Sequence, residues 1–442
     1  MVPALTEVVN CIQFSSAFAG PAFTGPAGAG LWPTEPTRTS LPGPFCLSSA
    51  IVKRSAVRNP FVIGHHAEGD SFCDRRTEVD RIARTFRDPS ARLVVYGDRR
   101  LGKSSTIHEA ARAVRAEGLA VVVVDLAVAA TAPAAAQRLL TAVHRELGQR
   151  WKDLATGLLG RLRPGTFSLQ GGVDTQGKPT LTFQVAPATD SRDALVITDV
   201  LDAVEQELAA RNITLGLGLD EFQRLGRWYG ADIAWQLKEM LERHRRIAYV
   251  LAGSERTLVE QMLQDRKAGL WKVVDVLDMQ PVPENEMAPW IVKRAHETGV
   301  ALTLATATHL IELAGPRTRD IVQLARATWD AAQSGGSADM AAPDRALYDL
   351  VIEQGALHQR QWDQLPDNAR SALIALAMEP DVQLLAAATL KRYALGPKST
   401  VSDVLDDLCE REILFRRTSS VTTFEFDDPF FRYWIRVSTS AG

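Results

Sequence analysis

Residues Gly97, Asp98, Arg99, Arg100, Leu101, Gly102, Lys103 and Ser104 have the spacing G-x-x-x-x-G-K-S, followed by a second hydroxyl at Ser105. Residue types in that order suit the binding of phosphate. Glycines let successive backbone N–H groups converge on anionic oxygens without a Cβ in the way, and the lysine adds a mobile positive charge. A serine hydroxyl at that point can ligate a divalent cation. A second stretch, "LGLGLDEF", ends in adjacent carboxylates. Asp220 could hold the cation through water, and Glu221 beside it could polarise an attacking water.

Such residues act only if the chain positions them. Leu93 to Tyr96 form an uninterrupted apolar run that reads as a short parallel strand covered on both faces. After the loop, "STIHEAARAVRAE" carries helical spacing, with Ile107, Ala110, Ala111 and Val114 on one face. The motif therefore sits between a strand and a helix, where the helix N-terminus adds its own attraction for phosphate. "LAVVVVDLA" (119–127), "ITLGLGLDEFQRL" (213–225) and "IAYVLAGSE" (247–255) read as further strands, with a fifth near "VVDVLDMQPV". Strands alternating with helices predict a parallel α/β sheet, because parallel neighbours need crossovers. Open sheets of this kind bind ligands outside the carboxyl ends of their strands, so the loop, Asp220 and Glu221 should face one crevice. Ser254, ending the fourth strand, would reach the terminal phosphate or its water.

The chain has 442 residues, enough for two or three domains. Its net charge of −3 and pI near 6.3 create no global basic field of the kind that announces a nucleic-acid partner. Cys11, Cys46, Cys73 and Cys409 are scattered without a C-x-x-C pair, which argues against a zinc site or disulfide framework and for a reducing cytoplasm. The apolar stretch "GLAVVVVDLAVAATA" is cut by Asp125, so no membrane span is expected. Residues 1–55, rich in Pro and Gly and poor in charge, read as a disordered extension without a secretory leader.

The expected organisation places an ATPase core at 59–282, interrupted by a β-hairpin insertion near 165–186. A helical lid follows at 283–340, with "SGGSADMAAPD" as a linker. Residues 362–437 give helices near 367–378, 384–393 and 400–410 and then two short strands, the pattern of a winged helix. Arg317 and Arg319 in "AGPRTRDIVQLA" open a lid helix and could reach back to a bound nucleotide. Arg266, and Arg245 with Arg246, are candidates for a finger offered to a neighbouring subunit in a nucleotide-dependent oligomer. "FFRYWI" (430–435) reads as core packing of the last domain rather than base stacking, and His65 with His66 lacks a ligand-spaced third partner for a metal.

Together, "NPFVIGHHAEGDSFCDRRTEVDRI", "VVYGDRRLGKSS", "LGLDEFQ", "VLAGSE" and "FEFDDPFFRYWI" resemble the archaeal-type ATPase family, related to the AAA+ and STAND ATPases, over residues 59–437. The resemblance implies a P-loop NTPase core of AAA+ type, a helical lid and a C-terminal winged helix. It implies ATP and Mg²⁺ as cofactors, Lys103 and Ser104 at phosphate and metal, and Asp220 and Glu221 at metal and water. It also implies Ser254 as first sensor and Arg317 as second, although "AGPRTRD" stands where Gly-Gly-x-Pro is commonest. No N-K-x-D appears and Asp220 is followed by Glu rather than opening a D-x-x-G, which disfavours a GTPase; no L-S-G-G-Q-like signature marks an ABC ATPase, and no catalytic loop a kinase. A hydrolysing switch and a non-hydrolysing nucleotide-binding regulator remain. The segment "STVSDVLDDLCERE" carries Asp403, Asp406, Asp407, Glu410 and Glu412 against Arg411, a face that repels DNA phosphate. The wing "RRTSS" and "LKRYALGPKS" are basic, so DNA stays open as a partner beside a protein partner or closure onto the core.

Overall fold

The computed structural model describes residues 58–440 except 149–152, 163–166, 174–178, 186–195, 231–232, 255–258, 260–261, 264–269, 380–381 and 419–421. The expected extension at 1–55 and the candidate finger Arg266 lie outside the described residues.

Strands β1 (Arg92–Tyr96), β2 (Val121–Asp125), β5 (Leu215–Asp220), β6 (Ile247–Gly253) and β7 (Asp275–Asp278) form a sheet in the order β2-β5-β6-β1-β7. Every pairing in it is parallel. The register aligns the carboxyl ends: Asp125 lies opposite Asp220, and Tyr96 opposite both Gly253 and Asp278. One edge of the sheet thus collects the ends of all these strands, where a parallel sheet places its ligands. β3 (Phe167–Val173) and β4 (Pro179–Val185) pair with each other as an antiparallel hairpin outside that sheet.

The alternation of side chains along a strand explains "LGLGLD". Leu215, Leu217 and Leu219 are buried in the core on one face, with Val94 of β1. On the other face, a Cβ at Gly216 would come within 2.9 Å of Phe86, and one at Gly218 within 3.3 Å of Val123. That face holds Leu93, Val95, Ile82 and Phe86 together with Ile107, Ala110, Ala111 and Val114 of the Lys103–Ala116 helix. The glycines let the helix Arg76–Arg87 press its phenylalanine directly onto the strand that carries the carboxylates. β7 is the edge strand beside β1, with β2 at the opposite edge, and the Arg81 guanidinium donates to the Val276 carbonyl of β7 at 3.0 Å.

Beyond the sheet come helices Glu284–Glu297, Leu304–Ala314 and Thr318–Ala332. Residues 334–344, read as a linker, include the short strand Ser337–Ala338, which pairs with Ala301–Leu302, and the start of helix Ala342–Glu353. Helices Asp367–Met378, Ala387–Arg392 and Lys398–Glu410 precede an antiparallel pair, Leu414–Thr418 with Thr422–Phe426. The aromatic stretch forms part of a closing helix, Pro429–Ser440, whose Phe430, Phe431, Trp434 and Ile435 are buried. Phe431 stacks on Trp434 with ring centroids 5.8 Å apart, so these rings pack the core. One apolar cluster runs from Phe61 and Met287 through Trp329 to Ile435.

Candidate functional site

The phosphate loop turns from β1 into the Lys103–Ala116 helix through three residues with positive φ: Gly97 (151°), Arg100 (65°) and Gly102 (91°). Two of these positions have specific reasons for glycine. At Gly102 the left-handed backbone disfavours any side chain. At Gly97 a Cβ would meet the Met279 carbonyl oxygen at 2.5 Å. The loop is anchored through the Leu101 carbonyl, which accepts from Arg75 Nη2 at 2.9 Å and from Thr318 Oγ1 at 3.3 Å. Arg75 Nη2 also reaches the Gln280 carbonyl. Ser105 turns away to accept the Ala67 N–H at 3.3 Å, tying the segment before the first helix to the loop.

Lys103 is only 5 % exposed, and its Nζ donates to the carbonyls of Gly97 at 2.8 Å and Asp98 at 2.7 Å. Burial pushes the ammonium down to about 8, against the pull of Glu221, Asp220 and Asp98. Ser104 donates to the Asp220 carboxylate. Asp220 is 5 % exposed, and burial raises it to about 6, helped by the neighbouring charges of Glu221 and Asp125 and opposed by the Ser104 bond. The structure thus brings Lys103, Ser104, Asp220 and Glu221 to one place.

Glu221 holds an unusual backbone for a residue with a side chain, φ +55°. Its N–H donates to Asp220 Oδ1 at 3.0 Å, and Phe222 N–H to the Ala252 carbonyl at 2.8 Å. The carboxylate oxygen Oε2 accepts from Ser254 Oγ at 2.7 Å and from Gln223 Nε2. Ser254 thus joins the acidic pair. Gln223 was not singled out from sequence, because nothing in the spacing of "DEFQ" says that a residue two positions on folds back.

The fold can now be compared with solved structures. The Walker-type ATPase of Pyrococcus abyssi superposes with a TM-score of 0.55 at 14% identity, over 85% of this chain and 99% of that one. The ORC2 protein of Aeropyrum pernix, in its ADPNP–ADP complexes, gives 0.51 at 16% identity, over 87% and 99%. The fold is that of the P-loop AAA+ ATPases. Residues 356–437 match the family model described as a probable winged helix domain. No curated protein matches the chain in sequence.

Within this AAA+ fold the expected sensor Arg317 sits differently from Lys103. It is 6 % exposed, and its Nη1 donates to both the carbonyl and the carboxylate of Asp427, in the winged helix, the latter at 3.0 Å. Its guanidinium carbon lies 4.4 Å from the centre of the Phe415 ring. Arg100 of the phosphate loop reaches the same residue, donating to the Asp427 carbonyl at 2.7 Å and lying 3.3 Å from its carboxylate. Asp320, 3.5 Å from Arg100, is pushed up to about 6 by burial, against the pull of Arg100 and Arg317. Arg99 pairs with Glu412. The Arg319 backbone N–H donates to the Arg100 carbonyl at 3.1 Å. Arg245 donates to the Glu242 carbonyl and Arg246 to Asn212, so both are engaged within this chain.

Proposed function

We propose that the chain binds ATP with Mg²⁺ and hydrolyses it, and that the bound nucleotide sets the position of the lid (283–340) and winged helix (362–437) against the core (59–282). The observation that carries the reading is the convergence of Lys103, the Ser104–Asp220 pair and Glu221 at the carboxyl edge of the sheet.

Backbone N–H groups of Gly97 to Ser105 would cradle the phosphates, and Lys103 would exchange its bonds to loop carbonyls for the β- and γ-phosphate oxygens. The donor set fits Mg²⁺: a hydroxyl and a carboxylate, both hard oxygens, already hydrogen-bonded to each other. Among the described residues no three His, Cys, Asp or Glu converge on a metal-sized site, in keeping with an ion held partly by phosphate and water. Held there, the ion would supply Lewis-acid neutralisation of phosphate charge. Glu221 would orient the attacking water and take its proton, and Ser254, bonded to that carboxylate, would report on the terminal phosphate.

The coupling to the winged helix rests on Asp427, which Arg100 of the loop and Arg317 of the lid both hold. A phosphate reaching either arginine would compete with that carboxylate and loosen the C-terminal contact. For the winged helix we favour a protein partner over DNA. Arg416 is paired with Asp406 and Arg411 with Asp407, so these two arginines beside the Lys398–Glu410 helix are matched by its carboxylates; residues 419–420 of the wing lie outside the described residues. A cytoplasmic setting and a nucleotide-dependent oligomer belong to the same proposal; Cys73 and Cys409 are free thiols, and no described helix is long and apolar enough to cross a membrane.

The test is phosphate release from ATP by the wild type, Lys103→Ala and Glu221→Gln, with nucleotide affinity measured in parallel and with duplex DNA added or omitted. Lys103→Ala should weaken nucleotide binding about 100-fold, the scale of a lost charge-assisted contact to phosphate. Glu221→Gln should keep binding and lower turnover about 10²- to 10³-fold. Tight binding without turnover in the wild type overturns hydrolysis and leaves a nucleotide-held regulator. Stimulation by DNA would overturn the preference for a protein partner. A core-to-winged-helix distance, read by paired fluorophores, that stays constant in apo, ADP and ATP-analogue states would overturn the switch.

A further inference from the structure

Glu221 is not left to find its own orientation. Its left-handed backbone aims the side chain away from the path the strand would give it. Both donors that meet the carboxylate, Ser254 Oγ and Gln223 Nε2, go to the same oxygen, Oε2. Two donors on one oxygen fix the plane of the carboxylate and leave Oε1 as the oxygen able to accept a proton from water. Ser254 already has a proposed role at the terminal phosphate, but Gln223 has none.

Gln223 is built for this contact. It is 1 % exposed, lies at the start of the short helix Arg224–Tyr229, and its Oε1 has no hydrogen-bond partner among the described residues. Burying an unpaired amide oxygen costs free energy, so a glutamine here is a poor choice for packing alone. The fit around it is close: a Cβ at Gly253 would come within 2.5 Å of Val259 and 2.8 Å of Gln223 Oε1. The amide is thus confined by the end of β6, with its donor end on Glu221.

We propose that Gln223 is a positioning residue for hydrolysis: by holding Glu221 Oε2 it presents Oε1 to the attacking water. Water attacks the γ-phosphorus, the bond from that phosphorus to the bridging oxygen of ADP breaks, and the water proton passes to Glu221 Oε1. Gln223 exchanges no proton and touches no substrate. The inference rests on the ATPase reading and goes beyond it by assigning a group that acts only through Glu221.

The experiment measures kcat, KM and ATP-analogue affinity for Gln223→Met, which keeps the bulk and loses the donor, alone and in the Glu221→Gln background. Gln223→Glu, matched in size and shape, is a second variant in case the methionine impairs folding, which a thermal melt would show. The expected result is a kcat lowered about 10- to 100-fold with KM and affinity within about 2-fold of wild type, and no further loss of turnover in the Glu221→Gln background. An effect of the same size in both backgrounds, or a loss of affinity matching the loss of turnover, makes Gln223 structural and overturns the proposal. Unchanged kcat in folded Gln223→Met and Gln223→Glu overturns it as well, while wild-type turnover that Lys103→Ala abolishes leaves the ATPase reading standing. Absence of turnover in the wild type overturns both.

Discussion

The two halves of the phosphate loop behave differently. Lys103 and Ser104, at its helical end, find partners nearby in the core: their own loop carbonyls and the Asp220 carboxylate at the tip of β5, two strands away in the sheet. Arg99 and Arg100, at its centre, find theirs 313 and 327 residues away in the winged helix. In the proposed function the first half would serve chemistry at the sheet edge, while the second makes the C-terminal domain part of the loop's surroundings. A loop with both kinds of contact can report its ligand to a distant domain without any separate relay, provided the two sets of contacts have unequal weights.

Those weights can be measured. The largest effect is expected at Arg317, where truncation to alanine strips a nearly buried guanidinium from Asp427 and from the Phe415 ring. Breaking a buried pair of this kind costs about 3 kcal/mol, and Arg100 remains on Asp427 to limit the loss. Chemical denaturation checks it; a change below about 1 kcal/mol would mean that the contact does not hold the winged helix. The intermediate effect is on pH. With Lys103 pushed down to about 8, the ligand-free protein loses this cation as pH rises through that value. Nucleotide affinity should therefore fall about 3- to 10-fold between pH 7 and 9 in the wild type, and stay nearly flat in Lys103→Ala, as titrations with a fluorescent nucleotide would show. The smallest effect is at Arg99. Its pair with Glu412 is more than a third exposed, so Arg99→Ala should alter stability by no more than about 0.5 kcal/mol. A larger loss would make both central arginines equal partners of the winged helix and erase the gradient across the loop.

The same contrast explains what the sequence could reveal. The strand, loop and helix around Gly97 to Ser104 are contiguous, so spacing alone placed them on a strand-to-helix turn, and apolar runs predicted the parallel sheet. The helices and hairpin of the winged helix were likewise local patterns. The bonds from Arg100 and Arg317 to Asp427 join residues that only folding brings near: the stretches around both arginines point toward a bound nucleotide, and neither carries a sign of Asp427. The hold of Gln223 on Glu221 was hidden for a different reason. It depends on a positive φ at Glu221, which a residue type that seldom adopts one does not advertise.

Gly97 ends the account with a consequence for sequence drift. Its α-carbon lies so close to the backbone after the edge strand that even a methyl group would sit 2.5 Å from the Met279 oxygen, and the Met279 N–H in turn bonds the Tyr96 carbonyl at 2.7 Å. The first residue of the loop and the outermost strand therefore form a joint with no tolerance for added atoms. A descendant chain that acquired alanine there would have to pry β7 from the sheet, so lineages that keep this architecture should carry glycine at position 97 whatever becomes of the side chains around it.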